Sequence, residues 1–211
     1  MAAGRGERMR PLTDTVPKPL LKVHGKPLIQ YHIEALATAG VSDIVVNVAW
    51  LAEQLIGFLG DGAQFGVSIH ISHEYTALES GGGLVQALPL LGDEPFIAVN
   101  GDTYTDYNYQ QLSGLSLGDK LAHLVMVPNP SHNPEGDFGL QGNVVNLTAP
   151  KYTFSGIRVF SPALLAGKPH EYFSIVPSLK EAIAAGLVSG DLHKGTRVDV
   201  GTPERLAQLN S

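Results

Sequence analysis

Two continuous apolar runs, Ile44-Val45-Val46-Asn47-Val48 and Phe96-Ile97-Ala98-Val99, constrain the fold of this chain most tightly. Short runs of this kind, without polar alternation, mark strands buried on both faces of a sheet that helices cover. Helical stretches lie around them. Pro27 to Gly40 opens with a first-turn proline, carries Ile29, Ile33, Leu36 and Ala37 on one face and stops at a glycine. Leu51 to Leu59 reads as a second short helix, and Val67, Ile69 and Ile71 alternate as a strand. Gly83 to Leu88 begins a third helix that Pro89 is expected to end. The run Phe96 to Val99 then delivers Asn100-Gly101-Asp102 at its carboxyl end. Alternation of this type predicts an α/β fold with a parallel-dominated sheet, whose ligands bind beyond the carboxyl ends of the strands.

The second half is more antiparallel in character. Ala122 to Val127 is a strand stopped by Pro128, Phe138 to Val145 a hairpin turning at Gln141-Gly142-Asn143, and Tyr152 to Phe160 a strand interrupted at Gly156. A helix passes through Leu179 and Ile183 and stops at Gly186. Arg197 to Val200 is a short strand, and Thr202-Pro203 opens a terminal helix. With no internal repeat and no linker-like stretch, residues 1–211 are expected to form one domain.

Composition removes several function classes. The chain has no cysteine, which excludes disulfide frameworks, thiolate metal sites and cysteine nucleophiles. No apolar run approaches the ~18 residues of a membrane span, and charges begin at Arg5, so no membrane association and a cytoplasmic location are expected. The net charge is −6, yet residues 1–26 hold six basic side chains against Glu7 and Asp14. An acidic body with one cationic loop suits a small anionic ligand and argues against nucleic acid, which needs an extended basic face.

That cationic loop is Gly4-Arg5-Gly6-Glu7-Arg8-Met9-Arg10-Pro11-Leu12-Thr13, followed by Pro17-Lys18-Pro19-Leu20. Glycines let backbone N–H groups approach phosphate oxygens, and fixed cations offset their charge. Arg10 and Lys18, on a path stiffened by prolines, are placed to reach different phosphates of one nucleotide. It is not a P-loop, because no Gly-Lys-Ser/Thr follows, and Met9 stands where a dinucleotide fingerprint has its third glycine. Asp102, at a strand end, and Asp199, between Val198 and Val200, are candidate ligands for Mg²⁺, which takes few protein carboxylates and several phosphate or water oxygens. Glu79-Ser80-Gly81-Gly82-Gly83 offers bare backbone against which a planar base could lie, or a loose helix start. Asp137-Phe138-Gly139 either lines a sugar pocket or forms a hairpin turn. The eight histidines lack zinc spacing.

Taken together, Gly4 to Arg10, Pro17-Lys18-Pro19, Gly101-Asp102 and Asp199-Val200-Gly201 resemble the signature of the sugar-1-phosphate nucleotidyltransferases. The resemblance covers essentially the whole chain. It implies a Rossmann-like three-layer α/β/α fold with a mostly parallel mixed central sheet. The short length, Leu78 to Gly83 and Asn100 to Asp106 are similar to the compact N-acetylmuramate-1-phosphate uridylyltransferases of peptidoglycan recycling. The resemblance then implies catalytic roles for Arg10 and Lys18 and nucleotide contacts from Ala3, Gly4, Gly6, Glu7, Arg8, Lys18, Gly81, Gly82 and Asn100. It further implies a substrate contact from Asp137 and Mg²⁺ on Asp102 and Asp199. UTP and a sugar 1-phosphate are the implied partners. A mannose- or glucose-1-phosphate enzyme using another base, or a nucleotide-binding protein without catalysis, remain open, as does the oligomeric state. Two departures stand out. The Glu-Lys-Pro segment whose lysine grips the sugar phosphate in many relatives is absent. Met1 directly precedes Ala2-Ala3-Gly4, so the first strand is expected to be truncated, with lower stability and impaired activity.

Overall fold

The computed structural model describes residues 1–148 and 150–211. Three 3-10 turns (Glu7–Met9, Leu12–Asp14, Lys18–Leu20) lead into a small hairpin, β1 (Lys22–Val23) and β2 (Lys26–Pro27). Then follow α1 (Leu28–Thr38), β3 (Asp43–Val48), α2 (Ala52–Leu59), β4 (Ser68–His73), α3 (Glu79–Leu91), β5 (Phe96–Val99) and β6 (Thr103–Thr105). The second half holds β7 (Ala122–Val127), β8 (Phe138–Gln141), β9 (Val144–Asn146), β10 (Lys151–Phe160), α4 (Val176–Ala184), β11 (Val188–Leu192), β12 (Arg197–Asp199) and α5 (Pro203–Asn210).

The central sheet runs β5-β10-β7-β11-β9-β8, with β8 also pairing β10. Parallel pairing among the described residues is confined to β3–β4 and β7–β11, because β10 runs antiparallel to β5, β7 and β8. The mixed sheet therefore carries more antiparallel ladders than the expected mostly parallel one. Strand β7 is buried along its whole length. Its Leu124 and Met126 pack with Phe160, Leu179 and Ile183 on one face, while Val125 packs with Tyr109, Leu112 and Ile157 on the other. Two buried faces on one strand give the layered α/β arrangement, and each such aliphatic side chain stabilises by about 1.5–3 kcal/mol.

Helix α3 departs from expectation at both ends. It starts at Glu79 and continues through Pro89 to Leu91. The glycines at its start are close-packing positions: a Cβ on Gly81 would meet the Phe173 ring at 2.3 Å, and one on Gly82 would meet Glu171 O at 2.1 Å. Proline near a helix end costs one backbone bond, and the last turn is still closed by the Gly92 N–H on Leu88 O at 3.2 Å.

No strand precedes Lys22 among the described residues. Met1 instead makes one rung beside β5: its amino group donates to Val99 O at 2.9 Å, and its carbonyl accepts from Gly101 N–H at 2.9 Å. Between β3 and β5 lies an apolar slot of about 80 Å³, bordered by Met1, Ala2, Ile33, Val46, Leu84 and Val99. The β3–β4 pair is accordingly a sheet of its own. No described helix is long and apolar enough to cross a membrane.

Candidate active site

The glycine loop is fixed by what it buries. Met9, in the position of a third glycine, is fully buried with Leu21, Val23, Leu28 and Val200. This anchor ties the loop to Val200, the residue that follows β12. Gly6 has φ +63°, and a Cβ there would press on Thr13 Cγ2 at 3.0 Å and Lys18 Cβ at 3.2 Å, so glycine is required twice over. With Met9 pinned inward, its neighbours part company. Arg8 lines a cleft of about 670 Å³ together with Ala3, Gly4, Gly6, Glu7, Lys18, Asn100, Asp102 and Gly201. Arg10 does not line it: its Nε donates to Asp14 Oδ1 at 2.7 Å on the exposed side of the loop. Of the two arginines that flank Met9 it is therefore Arg8 that shares the cleft with Lys18, as does Arg5 at the start of the loop, and the expected position of Arg10 is corrected.

Lys18 is buried, and its Nζ donates to Asp102 Oδ2 at 2.6 Å. Burial acts to raise the Asp102 carboxyl pKa, and the charge and hydrogen bond of Lys18 outweigh it, holding the group below its ordinary range. Asp102 is held at the end of β5 by Asn100 N–H on Gly156 O at 3.0 Å and by the Gly101–Met1 bond. Beyond it, β6 pairs antiparallel with β12, placing Asp199 opposite Thr103, and Val200 N–H donates to Asp102 O at 3.1 Å. Two carboxylates distant in sequence thus come to neighbouring strand ends. Asp199 is engaged by Arg205, whose Nη1 donates to its Oδ2 at 2.8 Å and to its carbonyl at 3.1 Å. Among the described residues no donor takes Asp199 Oδ1. Two hard carboxylates at neighbouring strand ends, Asp102 in the lining of the cleft and Asp199 outside it, are a donor set of the kind Mg²⁺ takes, although no described group of three or more ligating side chains exists.

The opposite wall comes from α3 and the segment before it. Glu79 and Ser80 line the cleft, whereas Gly81 and Gly82 do not: they are buried, and both N–H groups point at Phe173 O, at 2.9 and 3.3 Å. The backbone expected to lie bare against a base at Gly81 and Gly82 is instead covered by Phe173 and Glu171. Asp137 also lies outside the cleft lining. It serves the hairpin, accepting from Phe154 N–H at 2.8 Å and from Asn133 Nδ2 at 3.2 Å.

Three residues at or beside the candidate site carried no signal in the sequence. Glu74 is buried at the cleft wall, accepts from Leu78 N–H at 2.8 Å and Asn47 Nδ2 at 3.1 Å, and has its carboxyl pKa raised by burial. Arg158, inside β10, donates to Asn100 Oδ1 at 2.6 Å, and burial lowers its pKa to about 10. Arg205 opens α5, and a Thr-Pro helix start gives no hint that its third residue reaches back to Asp199.

Residues 1–141 match the nucleotidyl transferase family model. N-acetylmuramate alpha-1-phosphate uridylyltransferase of Neisseria meningitidis serogroup B is 45% identical, over 100% of this chain and 95% of that protein. A mannose-1-phosphate guanyltransferase of Hypocrea jecorina is 31% identical over 97% of this chain and 60% of its own length. In three dimensions the chain is similar to a structure described as a glucose-1-phosphate thymidylyltransferase of Bacillus anthracis, with TM-score 0.86 and 20% identity over 99% of this chain and 91% of that one. The chain belongs to the nucleotidyl transferase family.

Proposed function

We propose that this protein joins UTP and N-acetylmuramate 1-phosphate to give UDP-N-acetylmuramate and pyrophosphate, a step of peptidoglycan recycling in the cytoplasm. The observation that carries the choice of base and sugar is the full-length likeness to the Neisseria uridylyltransferase. A phosphate oxygen of the sugar 1-phosphate attacks the α-phosphorus in line. The new P–O bond forms as the α–β bridging bond breaks, and pyrophosphate leaves with the electron pair. No protein nucleophile is needed, so the chain contributes positioning and charge.

In this reading the backbone of Ala3 to Arg8 cradles the triphosphate, Asn100 borders the nucleotide, and Arg8 offsets charge on the departing pyrophosphate. Lys18, buried and held by Asp102, contacts the α-phosphate or the attacking phosphate. Asp102 and Asp199 would hold Mg²⁺, which when bound supplies charge neutralisation at the phosphates. All of these groups belong to one nucleotidyltransferase unit spanning 1–211.

The test is pyrophosphate release measured with UTP, GTP, dTTP and ATP against N-acetylmuramate, mannose and glucose 1-phosphates. UTP with N-acetylmuramate 1-phosphate is expected to exceed every other pair in kcat/KM by roughly tenfold or more. A faster pair, or UTP binding without turnover under any pairing, would overturn the assignment.

A further inference from the structure

Asp199 and Asp102 are each neutralised by a basic side chain, and the two pairs are built differently. Lys18 is packed beneath Gly6 and buried, so its contact with Asp102 is fixed. Arg205 is only partly buried. Its backbone is anchored without its side chain, by the Arg205 N–H on Thr202 Oγ1 at 3.4 Å and by the helix that follows. Gly201 leaves the Arg205–Asp199 pair its space: a Cβ there would sit 3.0 Å from both Arg205 Nη1 and Asp199 Oδ2. Gly201 lines the cleft, while the carboxylate two residues before it faces the guanidinium. On its other side Arg205 Nη1 lies 3.4 Å from His132 Nε2, on an exposed loop residue.

We propose that Arg205 is an exchangeable counter-ion: it holds Asp199 while the cleft is empty and yields that carboxylate to the divalent ion arriving with the nucleotide. The inference rests on Asp102 and Asp199 being the metal ligands. Its physical basis is that the guanidinium on Asp199 Oδ2 repels a divalent cation brought to the same carboxylate.

The experiment is Mn²⁺ binding to the nucleotide-free protein, read by electron paramagnetic resonance, for wild type, Arg205→Met, Arg205→Gln, Arg205→Lys and Asp199→Asn, each checked by thermal melting. Arg205→Met is expected to bind Mn²⁺ roughly tenfold more tightly than wild type because the repelling charge is gone, with Arg205→Lys near wild type. Should Arg205→Met not fold, Arg205→Gln decides on the same criterion. Equal or weaker Mn²⁺ binding in the neutral variants, with Asp199→Asn weakened, overturns the exchange and leaves the metal site standing. Mn²⁺ binding untouched by Asp199→Asn overturns the metal site itself.

Discussion

Arg8 and Arg10 are two residues apart in one loop and differ in every respect that matters for the cleft. The burial of Met9 between them sends Arg8 to the cleft and leaves Arg10 beside Asp14. Arg8→Ala is expected to reduce the single-turnover rate by roughly 10²–10³, the usual cost of losing a preorganised charge. Arg10→Ala is expected to stay within about threefold of wild type, since exposed pairs of its kind contribute about 0–1 kcal/mol. Rapid-quench kinetics on the two variants checks both, and an inverted order would return the role to Arg10. A sequence shows the spacing of cations, not the direction in which a tight turn aims them. For that reason Arg10 and Lys18 read alike as catalytic in the sequence, while folding brings only Lys18, set between prolines, into the cleft lining.

Among the elements, α3 and α1 carry the sharpest consequences. Gly82→Ala drives a methyl group into Glu171 O, and overpacking of this kind costs about 1–3 kcal/mol. Gly4→Ala meets nothing within 4 Å, so its melting temperature is expected to match wild type while Gly82→Ala falls by several degrees. His32 on α1 is buried between Tyr109 Oη at 2.9 Å and Thr103 O at 2.7 Å, with its pKa pushed down to about 4 by burial. The unfolded chain binds a proton there below about pH 6.5 that the folded one refuses until about pH 4. Stability contributed at this site is therefore complete above pH 6.5 and lost as pH falls toward 4, by about 2–3 kcal/mol. Urea midpoints from pH 7 to 4.5 should show that slope, and His32→Gln should flatten it. The slot between β3 and β5 offers a further test. About five apolar residues joined ahead of Met1 would lie along it, and a raised melting temperature is the expected result. An unchanged value would mean that the slot does not accept a strand.

For the whole molecule, the sequence reveals the elements better than their pairing. Every helix read from periodicity is present, because α1, α2 and α4 each keep an apolar stripe. Strands β6 and β11 go unread: three residues, Thr103–Thr105, and the half-polar run Val188–Leu192 lack the apolar runs that mark β3 and β5. Those two strands do much of the assembly, β11 by joining β7 and β9, β6 by carrying Asp199 alongside Asp102. The Asp pair is legible as two motifs, whereas Arg205 and Glu74, which hold the carboxylate and shape the far wall, are set only by folding. The claim on which the account depends is that these two distant strand ends and Lys18 act as one centre. Single-turnover pyrophosphate release from UTP and N-acetylmuramate 1-phosphate, compared between wild type, Lys18→Met, Asp102→Asn and Asp199→Asn, tests it most directly. Each substitution is predicted to slow release by roughly 10² or more, and a wild-type rate in Asp199→Asn would contradict it.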